Sequence, residues 1–121
     1  MGDKLVKNLM KKILVTGGAG FIGYFLIKEL LKDKDNKIFV LDNMYRGRMD
    51  EEFKKIISNK NVSFQQFDLT DSNIFTSLDK DFDYIYHLAA VIGVKNVVEN
   101  PDKVLRDNAF TTLNLIEFAK N

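Results

Sequence analysis

The sequence predicts an α/β fold, a doubly wound parallel sheet of four strands, and three observations predict it. Residues 12–16 form an apolar, strand-like run that passes through closely spaced glycines, Gly17, Gly18, Gly20 and Gly23, into a segment of helical periodicity. Short apolar runs and amphipathic segments then alternate about every 25 to 30 residues, as successive βα units do. The second apolar run ends in Asp42, 19 residues beyond Gly23. With right-handed crossovers such strands take the order 3-2-1-4, and the switch point falls between strands 1 and 4.

Each element has its own signal. The first strand, 12–16, leads into a helix over 21–32, where Ile22, Phe25, Leu26 and Leu30 recur at helical spacing. The polar residues 33–37 release the chain into a second strand, 38–41. Residues 50–58 read as a second helix with Phe53, Ile56 and Ile57 on one face. A third strand, 62–67, ends at Asp68, and Thr70 or Asp71 caps a short helix running through Leu78. The fourth strand, 84–88, is a near-continuous apolar run of the kind parallel sheets bury on both faces. Pro101 opens a last helix reaching Ala119, at a first-turn position where its missing N–H would be unpaired in any case. Residues 1–11 form a polar extension, a short helix or an irregular tail, ahead of a domain over 12–121.

Composition removes several classes of function. With 18 basic and 17 acidic side chains the formal charge is +1, so no broad field attracts nucleic acid or an anionic membrane. There is no cysteine, and His87 is the only histidine, which excludes a disulfide framework and a zinc site of His/Cys type. The cysteine-free sequence fits a reducing cytoplasm. No stretch approaches the roughly 20 apolar residues of a membrane span, and the N-terminus lacks the pattern of a secretory signal.

The glycine segment carries the chemistry of a nucleotide pyrophosphate site. Gly17 lets the chain turn off the strand, Gly20 lets backbone approach phosphate, and Gly23 lets helix pack on sheet. The N–H groups of the helix start, at Phe21, Ile22 and Gly23, and the positive end of the helix dipole face the pyrophosphate. Asp42 accepts from the adenosine ribose hydroxyls and its charge repels a 2′-phosphate, which favours NAD over NADP; Arg46 and Arg48, close by, qualify that preference. The opposing reading is a tight strand-to-helix turn that binds nothing.

Together with Leu41-Asp42-Asn43, Phe67-Asp68-Leu69, His87-Leu88-Ala89-Ala90, Asn100-Pro101, Asn108 and Asn114-Leu-Ile-Glu117, the glycine segment resembles the extended short-chain dehydrogenases that act on nucleotide sugars, the NAD-dependent epimerase/dehydratase group. The likeness covers about residues 12–121 and implies a Rossmann-like domain. It further implies that Asp42 and Asn43 hold the adenosine ribose and that Asp68 with Leu69 contacts the adenine. Leu88, Ala89 and Ala90 would line the middle of the cofactor, and Asn108 would support the site from the fourth helix. Plainer roles stand beside these: Asp68 as a strand-end or helix cap, Asn108 as a partner for nearby backbone, His87 as a packed strand-end residue rather than a catalyst. Lys95, in the segment after the fourth strand where relatives place a substrate-facing loop, meets a phosphate or carboxylate of a sugar nucleotide or is simply solvated.

The resemblance also implies a catalytic Tyr and Lys four residues apart on a later helix, with a Ser or Thr on the strand before it. Tyr24 and Lys28 have that spacing but sit on the first helix, beside the expected pyrophosphate, and are rejected as catalysts. The expectation is therefore the N-terminal cofactor-binding segment of an epimerase, dehydratase or decarboxylase, with no catalytic residue and no metal of its own. Its partners would be a nucleotide-sugar substrate in the full-length enzyme and a second copy in a homodimer. The alternative is a non-catalytic dinucleotide-binding module that senses cofactor or serves interaction.

Overall fold

The computed structural model describes residues 10–120. Of the extension expected over 1–11, residues 1–9 lie outside the described part, and Lys11 already belongs to the first strand. The elements in chain order are β1 (Lys11–Thr16), α1 (Phe21–Leu30), β2 (Asn36–Asp42), α2 (Glu51–Ile57), β3 (Val62–Gln66), a 3₁₀ turn (Ser72–Thr76), β4 (Tyr84–His87), α3 (Val94–Glu99) and α4 (Pro101–Ala119). They fall into two compact units. One runs to Phe67 and takes up Asp81–Leu88; the other comprises Asp68–Lys80 and the chain from Ala89.

The first unit holds the sheet, in the order β3-β2-β1-β4 and parallel throughout, as the sequence predicts. The register runs from Lys11 opposite Asn36 to Thr16 opposite Leu41, and Thr16 also lies opposite His87. Ile13, Val15, Ile27, Ile38, Val40, Phe53, Ile56 and Val62 form the core under α1 and α2. The two central strands are buried on both faces, because Leu14 and Leu41, of the opposite parity, are also fully buried. α2 begins where Asp50 accepts the Phe53 N–H at 2.8 Å, a side-chain cap that satisfies one of the open donors of the first turn.

Several expected boundaries move. β2 starts at Asn36 because that residue is buried and donates its side-chain N–H to the Leu30 carbonyl at 2.8 Å, closing the turn that α1 enters. α1 stops at Leu30; the Leu31 N–H still reaches back four residues to Ile27, but those of Lys32 and Asp33 reach back only three, so the end of the helix tightens into turns. β3 ends at Gln66, though the Phe67 N–H still reaches the Asp42 carbonyl of β2. The fourth strand ends at His87, though the Leu88 N–H still reaches the Thr16 carbonyl at 3.0 Å. That strand is not buried on both faces: Tyr84 is 49% and Tyr86 37% exposed. Its residues are apolar, but among the described residues β4 pairs only with β1, which makes it an edge strand.

In the second unit the short helix before β4 is a 3₁₀ turn capped by Asp71, which accepts the Asn73 N–H at 3.0 Å. The hydroxyls of Thr76 and Ser77 take the carbonyls of Asn73 and Ile74, the groups a longer helix would need as acceptors. Phe75 stacks on Phe118 of α4 with centroids 5.1 Å apart. Part of the segment after Ala90, expected as a loop, is the short helix α3. It follows Gly93, whose φ of 110° makes a turn open to few other residues.

Candidate functional site

The glycine segment forms a tight turn at the carboxyl end of β1. Gly17 adopts φ 73° and donates its N–H to the Leu41 carbonyl at 2.7 Å, so the turn leaves the sheet while still bonded to β2. Gly23, buried in the first turn of α1, meets the turn directly: a Cβ there would lie 2.6 Å from Gly18 Cα and 2.7 Å from the Gly17 carbonyl oxygen. Only a residue without a side chain lets the helix sit this close to the strand. Gly20, the N-cap, has extended backbone, and a Cβ there would make only ordinary contact, 3.4 Å from the Gly17 oxygen. The start of α1 has no side-chain cap and no acidic residue in its first turn. Among the described residues no N-cap side chain takes these N–H groups, which suits a helix start that binds an anion. Phe21 and Ile22, beside them, are 80% and 68% exposed.

Asp42 ends β2, only 9% exposed, and its carboxylate faces the glycine turn. Oδ2 accepts the Ala19 N–H at 3.0 Å, and Oδ1 accepts the Met44 N–H at 2.7 Å. Each carboxylate oxygen carries further acceptor capacity, which leaves room for ribose hydroxyls as well. Asn43 is exposed and accepts the Tyr45 N–H at 2.9 Å. Arg46 and Arg48 are exposed on the loop that follows. Of the predicted residues, the structure thus brings Gly17, Gly20, Phe21, Ile22, Gly23, Asp42 and Asn43 to one end of one sheet, with Leu88 at the end of β4.

The remaining predicted residues belong to the second unit. Asp68 accepts both the backbone N–H and the hydroxyl of Thr70, at 2.9 and 2.7 Å, and so organises the turn after β3. Leu69 is buried, and its carbonyl accepts from the Asn114 side chain at 3.0 Å. Ala89 is half-buried and Ala90 exposed. Asn108 clamps the next residue, accepting the Val91 N–H at 2.7 Å and donating to the Val91 carbonyl at 3.0 Å. Asn108 thereby holds both backbone groups of Val91 and fixes the segment around it. Lys95 is exposed on α3. A shallow cleft of about 250 Å³ beside the Phe75–Phe118 pair contains none of the predicted site residues.

The Tyr24–Lys28 spacing gains nothing from the structure. The Tyr24 hydroxyl donates to Glu52 at 3.1 Å, and the Lys28 ammonium sits 5.5 Å above the Tyr24 ring. Desolvation and the neighbouring Glu52 carboxylate push the Tyr24 pKa up, opposite to what a catalytic base needs. His87 Nδ1 lies 2.6 Å from Thr16 Oγ1, tying β4 to β1 beside the glycine turn, and burial lowers its pKa. The sequence assigns no role to Ala19, Met44 or Val91, and names Asn114 only among the residues that carry the resemblance. Ala19, Met44 and Val91 act through backbone groups, which leave no residue-type signature.

The family model described as GDP-mannose 4,6 dehydratase matches residues 14–121. UDP-glucuronic acid decarboxylase 1 of Danio rerio is 36% identical over 110 residues, 91% of this chain and 25% of that protein. Among solved structures, the UDP-Glc/GlcNAc 4-epimerase from Campylobacter jejuni superposes with a TM-score of 0.76 at 36% identity, covering 89% of this chain and 33% of that one. The Bordetella bronchiseptica enzyme WbmF, in complex with NAD+, gives a TM-score of 0.79 at 30% identity, covering 94% and 34%. The chain spans about a quarter to a third of the length of these relatives.

Proposed function

Because the chain belongs to the GDP-mannose 4,6 dehydratase family, within the extended short-chain dehydrogenases of nucleotide sugars, we propose that it is the N-terminal cofactor-binding segment of an NAD-dependent epimerase, dehydratase or decarboxylase. The observation that carries the reading is the Ala19–Asp42 hydrogen bond, which joins the glycine turn to the acidic end of β2. The pyrophosphate would sit at the uncapped start of α1, on the N–H groups of Phe21, Ile22 and Gly23. Asp42 and Asn43 would hold the adenosine ribose, Asp68 and Leu69 the adenine, and Leu88 to Ala90 the middle of the cofactor. When bound, NAD supplies a nicotinamide that takes and returns a hydride. The acids and bases that choose between isomerase and lyase outcomes are not assigned to this chain, and no turnover is expected from these residues alone.

A nucleotide sugar as substrate is supported by the UDP-sugar enzymes among the relatives. Pairing of two copies is supported by the exposed edge of β4. No helix among the described residues is long and apolar enough to cross a membrane, and the cysteine-free sequence supports the cytoplasm as the compartment.

Calorimetric titration tests the cofactor assignment. NAD should bind about tenfold or more tightly than NADP, since Asp42 opposes a 2′-phosphate. Gly20→Ala should leave the fold intact, because its Cβ has room, yet weaken NAD by crowding the pyrophosphate. Equal affinity for the two dinucleotides, or NAD binding indifferent to Gly20→Ala, would overturn the assignment.

A further inference from the structure

We propose that Asp42 is a positioning residue for the pyrophosphate turn as well as a ribose ligand: its carboxylate braces the glycine turn against the loop after β2 before any cofactor arrives. The inference rests on the cofactor reading above and adds a role that ribose recognition does not require. Three observations carry it. Asp42 spends one oxygen on Ala19, 23 residues away in sequence and in the middle of the turn, and the other on Met44, in the loop. Met44 takes φ 64°, a left-handed conformation that costs energy in a residue with a side chain, and the bond to Asp42 offsets that cost. Gly47 then packs the loop onto the turn: a Cβ at Gly47 would lie 2.6 Å from the Ala19 Cβ and 3.3 Å from Asp42 Oδ1. The loop, the carboxylate and the turn are one packed unit, and the acidic side chain at its centre is almost fully buried.

Ribose recognition alone and a brace predict opposite signs for one measurement. Removing a negative charge near an anion should strengthen binding of any ligand that lacks the ribose hydroxyls. Losing a brace should weaken it, because the turn's N–H groups are no longer held in place. The probe is 2′,3′-dideoxy-ADP, which keeps adenine and pyrophosphate but offers Asp42 no hydroxyl.

The experiment uses the full chain, wild type and Asp42→Ala, with Asp42→Asn as the near-isosteric variant that retains one acceptor. Amide hydrogen exchange is read first, without ligand. The brace predicts that Ala19 and Met44 exchange about tenfold or more faster in Asp42→Ala while Val15 and Val40, in the core, keep their protection. In Asp42→Asn one of the two amides keeps its protection and the other loses it. Dideoxy-ADP affinity should fall severalfold in both variants. Unchanged exchange at Ala19 and Met44, or dideoxy-ADP binding that is equal or tighter in the variants, overturns the brace. If wild type binds neither dideoxy-ADP nor NAD, the cofactor reading itself falls, and the exchange at Ala19 and Met44 alone decides the brace.

Discussion

At the scale of single residues, neighbouring glycines of one motif carry different burdens. Gly23 has no space for a Cβ, with backbone atoms 2.6 and 2.7 Å from where it would lie. Gly23→Ala should therefore cost about 1–3 kcal/mol as overpacking, whereas Gly20→Ala should be nearly neutral to stability. Urea melts of the two variants check the contrast, and equal losses would contradict it. Asn108 satisfies both backbone groups of Val91; in Asn108→Ala these lose their partners, at about 1–3 kcal/mol if water cannot replace them. Its exchange signature should be specific: the Val91 amide opens while the sheet amides stay protected. His87 gives a pH dependence of known sign. Burial lowers its pKa below the ordinary 6.5, so the folded state prefers neutral imidazole. That contribution is intact above pH 6.5 and is lost as pH falls from there through the folded-state pKa. Because His87 is the only histidine, the part of the stability loss between pH 7.5 and 5.5 that disappears in His87→Gln belongs to it. An unchanged pH profile in that variant would remove the assignment.

At the scale of elements, legibility followed the type of force that forms each one. β1, β2 and the start of α1 were readable because their apolar periodicity and glycines are local signals. α2 was readable for the same reason, and its Asp50 cap is a local signal too: Asp50→Ala should cost about 1 kcal/mol, while Asp50→Ser, which keeps an acceptor, should cost less. Thermal melts of that pair test it; equal losses would mean that the cap does not stabilise α2. α3 was missed because Val94, Val97 and Val98 are β-branched residues with low helix propensity, and all are exposed. The helix is set by the Gly93 turn before it and by Pro101, which opens α4 directly after Asn100. The apolar run of β4 reads the same whether the strand is paired on both sides or on one, so its sequence alone does not give the exposure of Tyr84 and Tyr86. The candidate site divides in the same way. Glycines and the terminal Asp announce it in sequence, but the Ala19, Met44 and Val91 backbone groups that Asp42 and Asn108 hold are visible only in three dimensions.

At the scale of the whole chain, the sheet order, the glycine turn and the family match converge on dinucleotide binding. The same sheet leaves β4 with two tyrosines partly exposed at its edge, a surface that unpaired strands present to other chains. Sedimentation across a concentration series should show reversible association, which Tyr84→Lys should weaken; a monomer at all concentrations would contradict that use of the edge. The central claim is tested most directly by mapping amide chemical shifts of the chain on titration with NAD. The account predicts the largest changes at Gly17 through Gly23 and at Asp42 and Asn43, with smaller ones when NADP is added. Changes confined to other residues, or none at saturating NAD, would contradict it.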